Sequence, residues 1–470
     1  MTFNAKSTTR VAWVTIILLA MATLIMWLPA LHTPFWGDDY VFLLKAHASH
    51  VSAAPWWSDF WPQSPVRFWR PLSQEGYWRL MLACFGGNAL AMHAANLILH
   101  LLASTSVGVL ALIVAGACQW PRPRQIALFA GLVYATLAMH LLPVHWASAV
   151  NNSMLTVFTS LALATWLHTL CTPNPRSLLL LACIPVLQML ALLTKESAVL
   201  IPLLMVVIGL FARRGPWRRG NTLVWATCVA EIVLWLFLDR HFTARTDAAY
   251  TLTLGFNVIR NGVAFVAWLL NVPRESVRMA TIGDTGLALA WMAATALPML
   301  GAWLIALRRG HALLSMRQWL AVTLFAIIAY GPCFLFIWNS YAYYAAISVI
   351  LPVIALARLS MDNRRLWLIA TLIAVSSWVA VAGTRHAAQP ALLARAHWGE
   401  NLLQQMEKQP VGIPLWVQSS DSHRFYAIGS AGLAWRLGLQ PDAIHVTRHC
   451  PATTKHCLVI DDNGRWHWRP

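Results

Sequence analysis

The chain has 470 residues, 59% of them hydrophobic and 11% charged, with a formal net charge of +17. It is too apolar for a soluble globular protein of this length. The basic excess does not mark a nucleic-acid binder, because no basic helix or stacking platform accompanies it; it reflects membrane topology and attraction to anionic lipid.

The pattern is that of an all-α polytopic membrane protein. A helix needs roughly 20 apolar residues to cross the hydrocarbon core. Apolar runs predict about eleven transmembrane helices, near 11–31, 88–116, 125–142, 150–170, 177–193, 198–212, 221–239, 286–307, 318–337, 341–358 and 365–383. The first is longer than a signal-peptide core and no small-x-small cleavage site follows, so it is expected to be retained. Short loops carry Arg122 and Arg124, then Arg176, then Arg213, Arg214, Arg218 and Arg219, then Arg308, Arg309 and Arg317, then Arg364 and Arg365. With Lys6 and Arg10 they fall on one side, which the positive-inside rule makes the cytoplasm. Asp362 is the only acid on these loops. Residues 256–271 are apolar enough to cross, yet crossing would move every later basic loop outside. They are expected to form a re-entrant or interfacial helix, the alternative being a twelfth span with a cytoplasmic tail.

The long connections, 32–87, 240–285 and the tail, then face outward, in a bacterium into the periplasm. Chemistry concentrates on loops held by a rigid scaffold. The division expected is a transmembrane catalytic part over 1–384 and a small α/β extracytoplasmic domain over 385–470.

The first outer loop opens with Phe35-Trp36-Gly37-Asp38-Asp39-Tyr40. Adjacent carboxylates at a membrane boundary are costly unless solvated, paired or used, and each raises the other's pKa, which suits a general base. A solvated loop start or helix cap is the plainer alternative. Trp56-Trp57-Ser58-Asp59-Phe60-Trp61 reads as an interfacial amphipathic segment. In Arg67-Phe68-Trp69-Arg70-Pro71-Leu72, Arg67 and Arg70 are either headgroup anchors or phosphate ligands, since a planar guanidinium binds two oxygens at once. His93, Asn96 and His100 share one helical face and read as packing residues rather than a zinc site. The turn His140 to Trp146 precedes Asn151-Asn152. Lys195 and Glu196 sit in another outer turn, as an interfacial ion pair or with Lys195 holding a phosphate as a point charge. Glu231 lies mid-span, as a functional acid or a protonated packing residue. Cys84, Cys118, Cys171, Cys183, Cys228 and Cys333 lie in or beside spans and read as packing. Cys450 and Cys457 lie in the tail, where an oxidising compartment permits a disulfide; a small metal site with His449 and His456 is the rival. In the tail, Pro414 to Gln418 and Cys457 to Ile460 are short apolar runs, Asp462-Asn463-Gly464 signals a turn, and residues 391–407 read as a helix.

The order of these pieces resembles the GT-C superfamily of membrane glycosyltransferases. A first span, an outer Asp38-Asp39, Asp59-Phe60-Trp61, Arg70-Pro71-Leu72 and the His93-x-x-Asn96-x-x-x-His100 helix follow one another. Pro143-Val144-His145, Lys195-Glu196 and Tyr341-Ala342-Tyr343-Tyr344 come later. Within the superfamily the chain is most similar to protein O-mannosyltransferases and their relatives with tetratricopeptide repeats, over residues 1–360. The resemblance implies transfer of a sugar from a polyprenyl-phosphate carrier outside the membrane, with inversion. It gives Asp38 and Asp39 the roles of base and acceptor-positioning group, and Arg70 and Lys195 the carrier phosphate. His145, Glu196, Tyr341 and Tyr343 become substrate-positioning residues. Relatives often carry an Arg before the Tyr of the tenth span; Asn339 and Ser340 stand here, so Arg67 or Arg70 is expected to compensate. No tetratricopeptide repeats follow, so the acceptor is open among glycan, glycolipid and protein. No cofactor and no metal are expected, because a monophosphate donor needs little charge neutralisation. A transporter or flippase and a non-catalytic envelope-assembly protein are the rival functions.

Overall fold

The structure, a computed structural model, describes residues 5–172, 177–215, 221–244, 250–337, 341–388, 391–409, 411–451 and 457–469. Arg176, Arg218, Arg219, Asn339, Ser340 and His456 lie outside them, as do the side chains of Lys6, Arg10 and Arg309.

Helices α1 (Ala5–Trp27), α2 (Asp38–Val51), α3 (Tyr77–Phe85), α4 (Ala89–Ala117) and α5 (Pro123–Thr136) come first. They are followed by α6 (Leu141–His145), α7 (Asn151–Cys171), α8 (Ser177–Leu192), α9 (Ile201–Phe211) and α10 (Thr222–Phe242). Next come α11 (Phe256–Leu269), α12 (Arg274–Thr281), α13 (Thr285–Gly310), α14 (Met316–Phe334), α15 (Ile350–Met361) and α16 (Leu366–His386). Among the described residues six helical stretches are long and apolar enough to cross a membrane: Val11–His32, Ala89–Ala117, Ala147–Cys171, Thr222–Phe242, Thr285–Arg308 and Leu366–His386. A seventh is counted if Pro123–Thr136 and Ala138–His145, bent by 56°, make one broken span. The chain is a multi-span membrane protein, and among the described residues up to seven of the eleven expected spans meet length and hydropathy together. Two of the others are interrupted by 3-10 turns. Where 341–358 reads as one helix, Tyr341 is extended, Ala342–Ala345 is a 3-10 turn, and α15 begins only at Ile350. Likewise Glu196–Leu200 is a 3-10 turn ahead of α9. Helix α11, in the segment expected to be re-entrant or interfacial, has 14 residues, about 21 Å at 1.5 Å per residue. That is short of the roughly 30 Å core.

Broken helices are tolerated in a bilayer only where other groups satisfy the freed backbone. Asn96 does this where α6 ends and the turn into α7 begins, and His100 and Trp27 do it where α5 ends. Asn96 Nδ2 donates to the carbonyls of Pro143 and Trp146, both at 3.2 Å, while its Oδ1 accepts from Tyr77 Oη at 2.8 Å. His100 Nε2 meets Ala135 O at 3.0 Å, and Trp27 Nε1 donates to the same carbonyl at 2.8 Å. The polar face of α4 is thus a packing face. One acid on the expected cytoplasmic side, Asp362, pairs with Arg358 at 2.6 Å.

Helices α4 and α5 cross closely because small residues meet there. Ser104 and Gly108 on α4 face Ala127 and Gly131 on α5, each pair four apart. A Cβ on Gly131 would lie 2.8 Å from Ser104 O. Such small-x-x-x-small contacts drive helix association where lipid supplies no hydrophobic contrast.

The tail is α/β. Helix α17 (Leu392–Met406) leads into β1 (Leu415–Ser419), α18 (Ser422–Phe425), α19 (Gly429–Leu437), β2 (Ile444–Thr447), β3 (Cys457–Ile460) and β4 (Trp466–Arg469). The sheet order is β2-β1-β3-β4, with β1 parallel to β2 and β3, and β4 antiparallel to β3. The helices between β1 and β2 supply the crossover that a parallel pair requires. The Asp462-Asn463-Gly464 turn joins β3 to β4: Asp461 Oδ1 accepts from the N–H groups of Asn463 and Arg465, at 2.9 and 2.8 Å. Cys450 and Cys457 form a disulfide, so these thiols are not metal ligands. The buried face of the sheet does not stand alone. Leu415, Val417, Ile428, Leu433 and Leu458 share one core with Tyr40, Leu43, Tyr77 and Trp78 of the first outer loop.

At the α4–α5 crossing, Gly131→Val is expected to cost about 1–3 kcal/mol by forcing the backbones apart. A lower Tm in detergent is the readout; a wild-type melt would mean that the crossing is not close.

Candidate active site

Gly37 takes the left-handed conformation (φ 58°) and turns the chain into α2, leaving Asp38 and Asp39 in the first helical turn. Carboxylates are favoured there by the helix dipole. Adjacent residues of a helix point different ways, and the pair separates. Asp39 is fully buried. Its Oδ2 accepts from Trp36 N at 3.1 Å, and its Oδ1 accepts from Ser148 N at 2.7 Å and from Ser148 Oγ. Burial pushes its pKa up to about 7, against these hydrogen bonds. Asp38 instead faces a large cavity. Its Oδ1 accepts from Tyr426 Oη of the tail at 2.9 Å. Burial raises its pKa too, while Tyr426 and then Arg67 and Arg70 oppose the rise.

The cavity has a volume of about 1270 Å³. Arg67, Arg70 and Lys195 line it together with Tyr250, Tyr341, Tyr343 and Tyr344. Segment Pro71–Gly76, a single π-type turn, is docked onto the α8–α9 turn: Leu72 N donates to Leu193 O at 3.1 Å and Ser73 Oγ to Thr194 O at 2.8 Å. This sets Arg70 beside Glu196. Arg70 Nε and Nη2 donate to the two Glu196 oxygens at 2.8 and 2.6 Å, a bidentate pair. The Arg70 side chain is 9% exposed and that of Glu196 42%. Lys195 does not pair with its neighbour Glu196. Its Nζ donates to Asn152 Oδ1 at 2.6 Å and lies 4.8 Å from the Tyr344 ring centre and 5.4 Å from that of Tyr343. Burial first, and then the Arg70 charge, lower its pKa to about 8. Arg67 and Arg70 lie over Phe68, at 5.4 and 4.3 Å. Tyr341 stacks on Tyr343 with centroids 5.4 Å apart and planes at 7°. Among the described residues no carboxylate forms an ion pair with Lys195, so this aromatic-walled cation is available to an anionic ligand.

Helix α11 forms another wall. Phe256, Ile259, Val263, Ala264, Ala267 and Trp268 line the cavity with helical spacing, and the first three are largely exposed. Asn257 and Asn261 fix this helix: their Nδ2 groups donate to Leu335 O at 3.1 Å and Phe334 O at 3.0 Å. Arg260, Arg274 and Arg278 complete the basic lining from α11 and α12, and Arg395 from α17.

Seven sequence-selected residues therefore converge on one cavity or its immediate wall: Asp38, Arg67, Arg70, Lys195, Tyr341, Tyr343 and, behind Arg70, Glu196. Asp39 stands behind the wall. His145 is buried away from the cavity; its Nδ1 lies 3.1 Å from Leu141 O and its Nε2 accepts from Arg385 Nε at 3.2 Å, which fixes the Nδ1–H tautomer. Sequence reasoning missed Ser148, Tyr250, Arg260, Arg274, Arg278, Arg395 and Tyr426. For Arg260, Arg274 and Arg278 there was a signal: basic residues in an outer loop run against the positive-inside rule and need another reason to be there. Among the described residues no group of three or more His, Cys, Asp or Glu is placed to hold a metal ion.

No protein-family model matches the chain, and no curated protein matches its sequence. Its fold, however, is shared with solved structures of ArnT, in keeping with the fold that the motif order led us to expect. It is similar to ArnT from Cupriavidus metallidurans in the apo state, with a TM-score of 0.54 at 16% identity, over 92% of this chain and 85% of that one. It is likewise similar to ArnT from the same organism bound to undecaprenyl phosphate, with a TM-score of 0.53 at 14% identity, over 96% and 93%. The likeness is one of fold; the narrower resemblance to O-mannosyltransferases rests on the motifs alone.

Asp39 yields a test. Asp39→Ala leaves three buried donors without their acceptor and is expected to cost roughly 2–3 kcal/mol. The raised folded-state pKa means that the folded protein holds a proton the unfolded chain releases. Stability contributed by this group is therefore lost as the pH rises from about 4 towards about 7. Asp39→Asn is expected to flatten that slope in Tm measured against pH.

Proposed function

We propose that the protein is a glycosyltransferase that takes a sugar from a polyprenyl-phosphate donor and passes it, with inversion, to an acceptor hydroxyl. The reaction is assigned to the outer face of a bacterial inner membrane, with the N-terminus in the cytoplasm and the tail in the periplasm. One observation carries the reading: a single cavity joins a carboxylate, a set of buried cations and an apolar helical wall.

Each part matches a demand of the chemistry. An acceptor hydroxyl is a weak nucleophile until a carboxylate takes its proton, and Asp38 is the cavity's candidate for that task. The deprotonating oxygen attacks the anomeric carbon, the bond from that carbon to the phosphate oxygen breaks, and polyprenyl phosphate leaves. Arg67, Arg70 and Lys195 are suited to stabilise the charge that develops on it. Tyr341 and Tyr343 offer a stacked aromatic face to a sugar. The exposed apolar stripe of α11 suits a polyprenyl chain. The ArnT structure with undecaprenyl phosphate supports this class of donor for the shared fold. Asp39 acts indirectly, by fixing α2; His145 and Glu196 also act as supports, Glu196 by orienting Arg70. Three cations at the phosphate make a metal unnecessary, so transfer is expected to persist in chelator.

The test is transfer of radiolabelled sugar from a panel of polyprenyl-phosphate donors to envelope fractions. Asp38→Asn is expected to lower kcat by about 10²–10⁴-fold while donor binding persists. Unchanged transfer would remove Asp38 as the base, and no transfer by wild type from any donor would favour a transporter or assembly protein. Lys195 adds a pH dependence: the donor KM is expected to rise as the pH passes about 8, where the ammonium is lost. Lys195→Arg should abolish that rise.

A further inference from the structure

The tail meets the membrane part at the start of α2. Gly37 N donates to Ala427 O at 2.8 Å. A Cβ on Gly37 would lie 2.8 Å from Tyr426 Cε1, so the phenol ring rests on the one residue before α2 that has no side chain. The next turns are locked as closely. A Cβ on Gly432 of α19 would lie 2.9 Å from the Tyr40 ring, and Ile428, Leu433 and Ala434 are buried in the core that also holds Tyr40 and Leu43. Tyr426 is therefore fixed from both sides. Tyr426 is 41% exposed and lines the cavity, and its hydroxyl reaches Asp38 Oδ1 across 388 residues of sequence.

We propose that Tyr426 is a positioning residue of the active site, holding the Asp38 carboxylate in the orientation that receives the acceptor's proton, so that the C-terminal domain completes the catalytic centre. This rests on the transferase reading above. A carboxylate on the first turn of a helix is otherwise free to rotate, and a general base must lie within hydrogen-bond reach of the proton it takes. Engaging Oδ1 directs Oδ2 to the acceptor. The phenol also favours the ionised form that a base requires. The other charged or titratable groups that bear on the pair are Asp39 beside Asp38 on α2, Arg67 and Arg70 from the first outer loop, and Tyr341, which acts on Tyr426.

The experiment compares wild type, Tyr426→Phe and a protein with 2,3-difluorotyrosine at position 426, a stronger donor of the same shape. The readouts are kcat, donor KM, Tm and the pH profile of kcat. For Tyr426→Phe, kcat near neutrality is expected to fall about ten-fold, as for the loss of a hydrogen bond to a charged group. The donor KM should stay unchanged and the acidic limb of the profile should move to higher pH. The fluorinated protein should move that limb to lower pH, which excludes unfolding as the cause. A wild-type limb in both proteins would overturn the proposal, and so would a raised KM with an unmoved limb, since Tyr426 would then be a wall of the donor site. The two readings fail separately. If Asp38→Asn is inactive while Tyr426→Phe keeps the wild-type profile, only the positioning role is lost; if Asp38→Asn is active, the base itself is lost.

Discussion

The site is organised around a carboxylate that does not line it. Asp39 ties Trp36 to Ser148, and so joins the outer loop after the first span to the turn that opens α7. The indole rings of Trp36 and Trp146 stack beside this junction at 4.7 Å. With α2 pinned there, its neighbouring carboxylate is turned into the cavity. Two adjacent identical residues thus take opposite roles, one structural and dry, the other accessible, because a helix sends consecutive side chains in different directions.

The opposite wall obeys the same economy of charge. A guanidinium that is 9% exposed is costly unless paired, and Glu196 pairs it. Lys195 is held by a neutral amide and two tyrosine faces, which orient an ammonium without neutralising it. The outcome is a net positive surface beside an apolar one, the combination that an amphiphilic anion requires.

Much of this was legible in the sequence, and the remainder was hidden for physical reasons. Hydropathy found the long helices because a bilayer demands about 20 apolar residues in a row. It overextended the span at 341–358 because a 3-10 turn and an α-helix are equally apolar there. The Lys195-Glu196 dipeptide reads as an ion pair, yet Glu196 turns to Arg70, more than a hundred residues earlier. Asp38, Arg70 and Lys195 were visible because they sit in short ordered motifs. Tyr426 was not, since its meaning comes only from the packing of α19 on Tyr40. Asn96 was read as a packing residue, but the carbonyls that it serves arise from the break between α6 and α7, which no local pattern announces.

The shared core of the first outer loop and the tail bears on how the molecule comes into being. Tyr40, Leu43 and Trp78 are translated early, and Leu415, Val417 and Leu433 near the end, with most of the membrane bundle between them. The early half of that core has nothing to close upon until the last segment has been made. Every helix of the bundle can be inserted and packed while Asp38 still lacks Tyr426 as its partner. Synthesis of the final fifth of the chain is therefore the step that completes this core and with it the wall of the cavity, and a bundle stalled during insertion keeps an unfinished one.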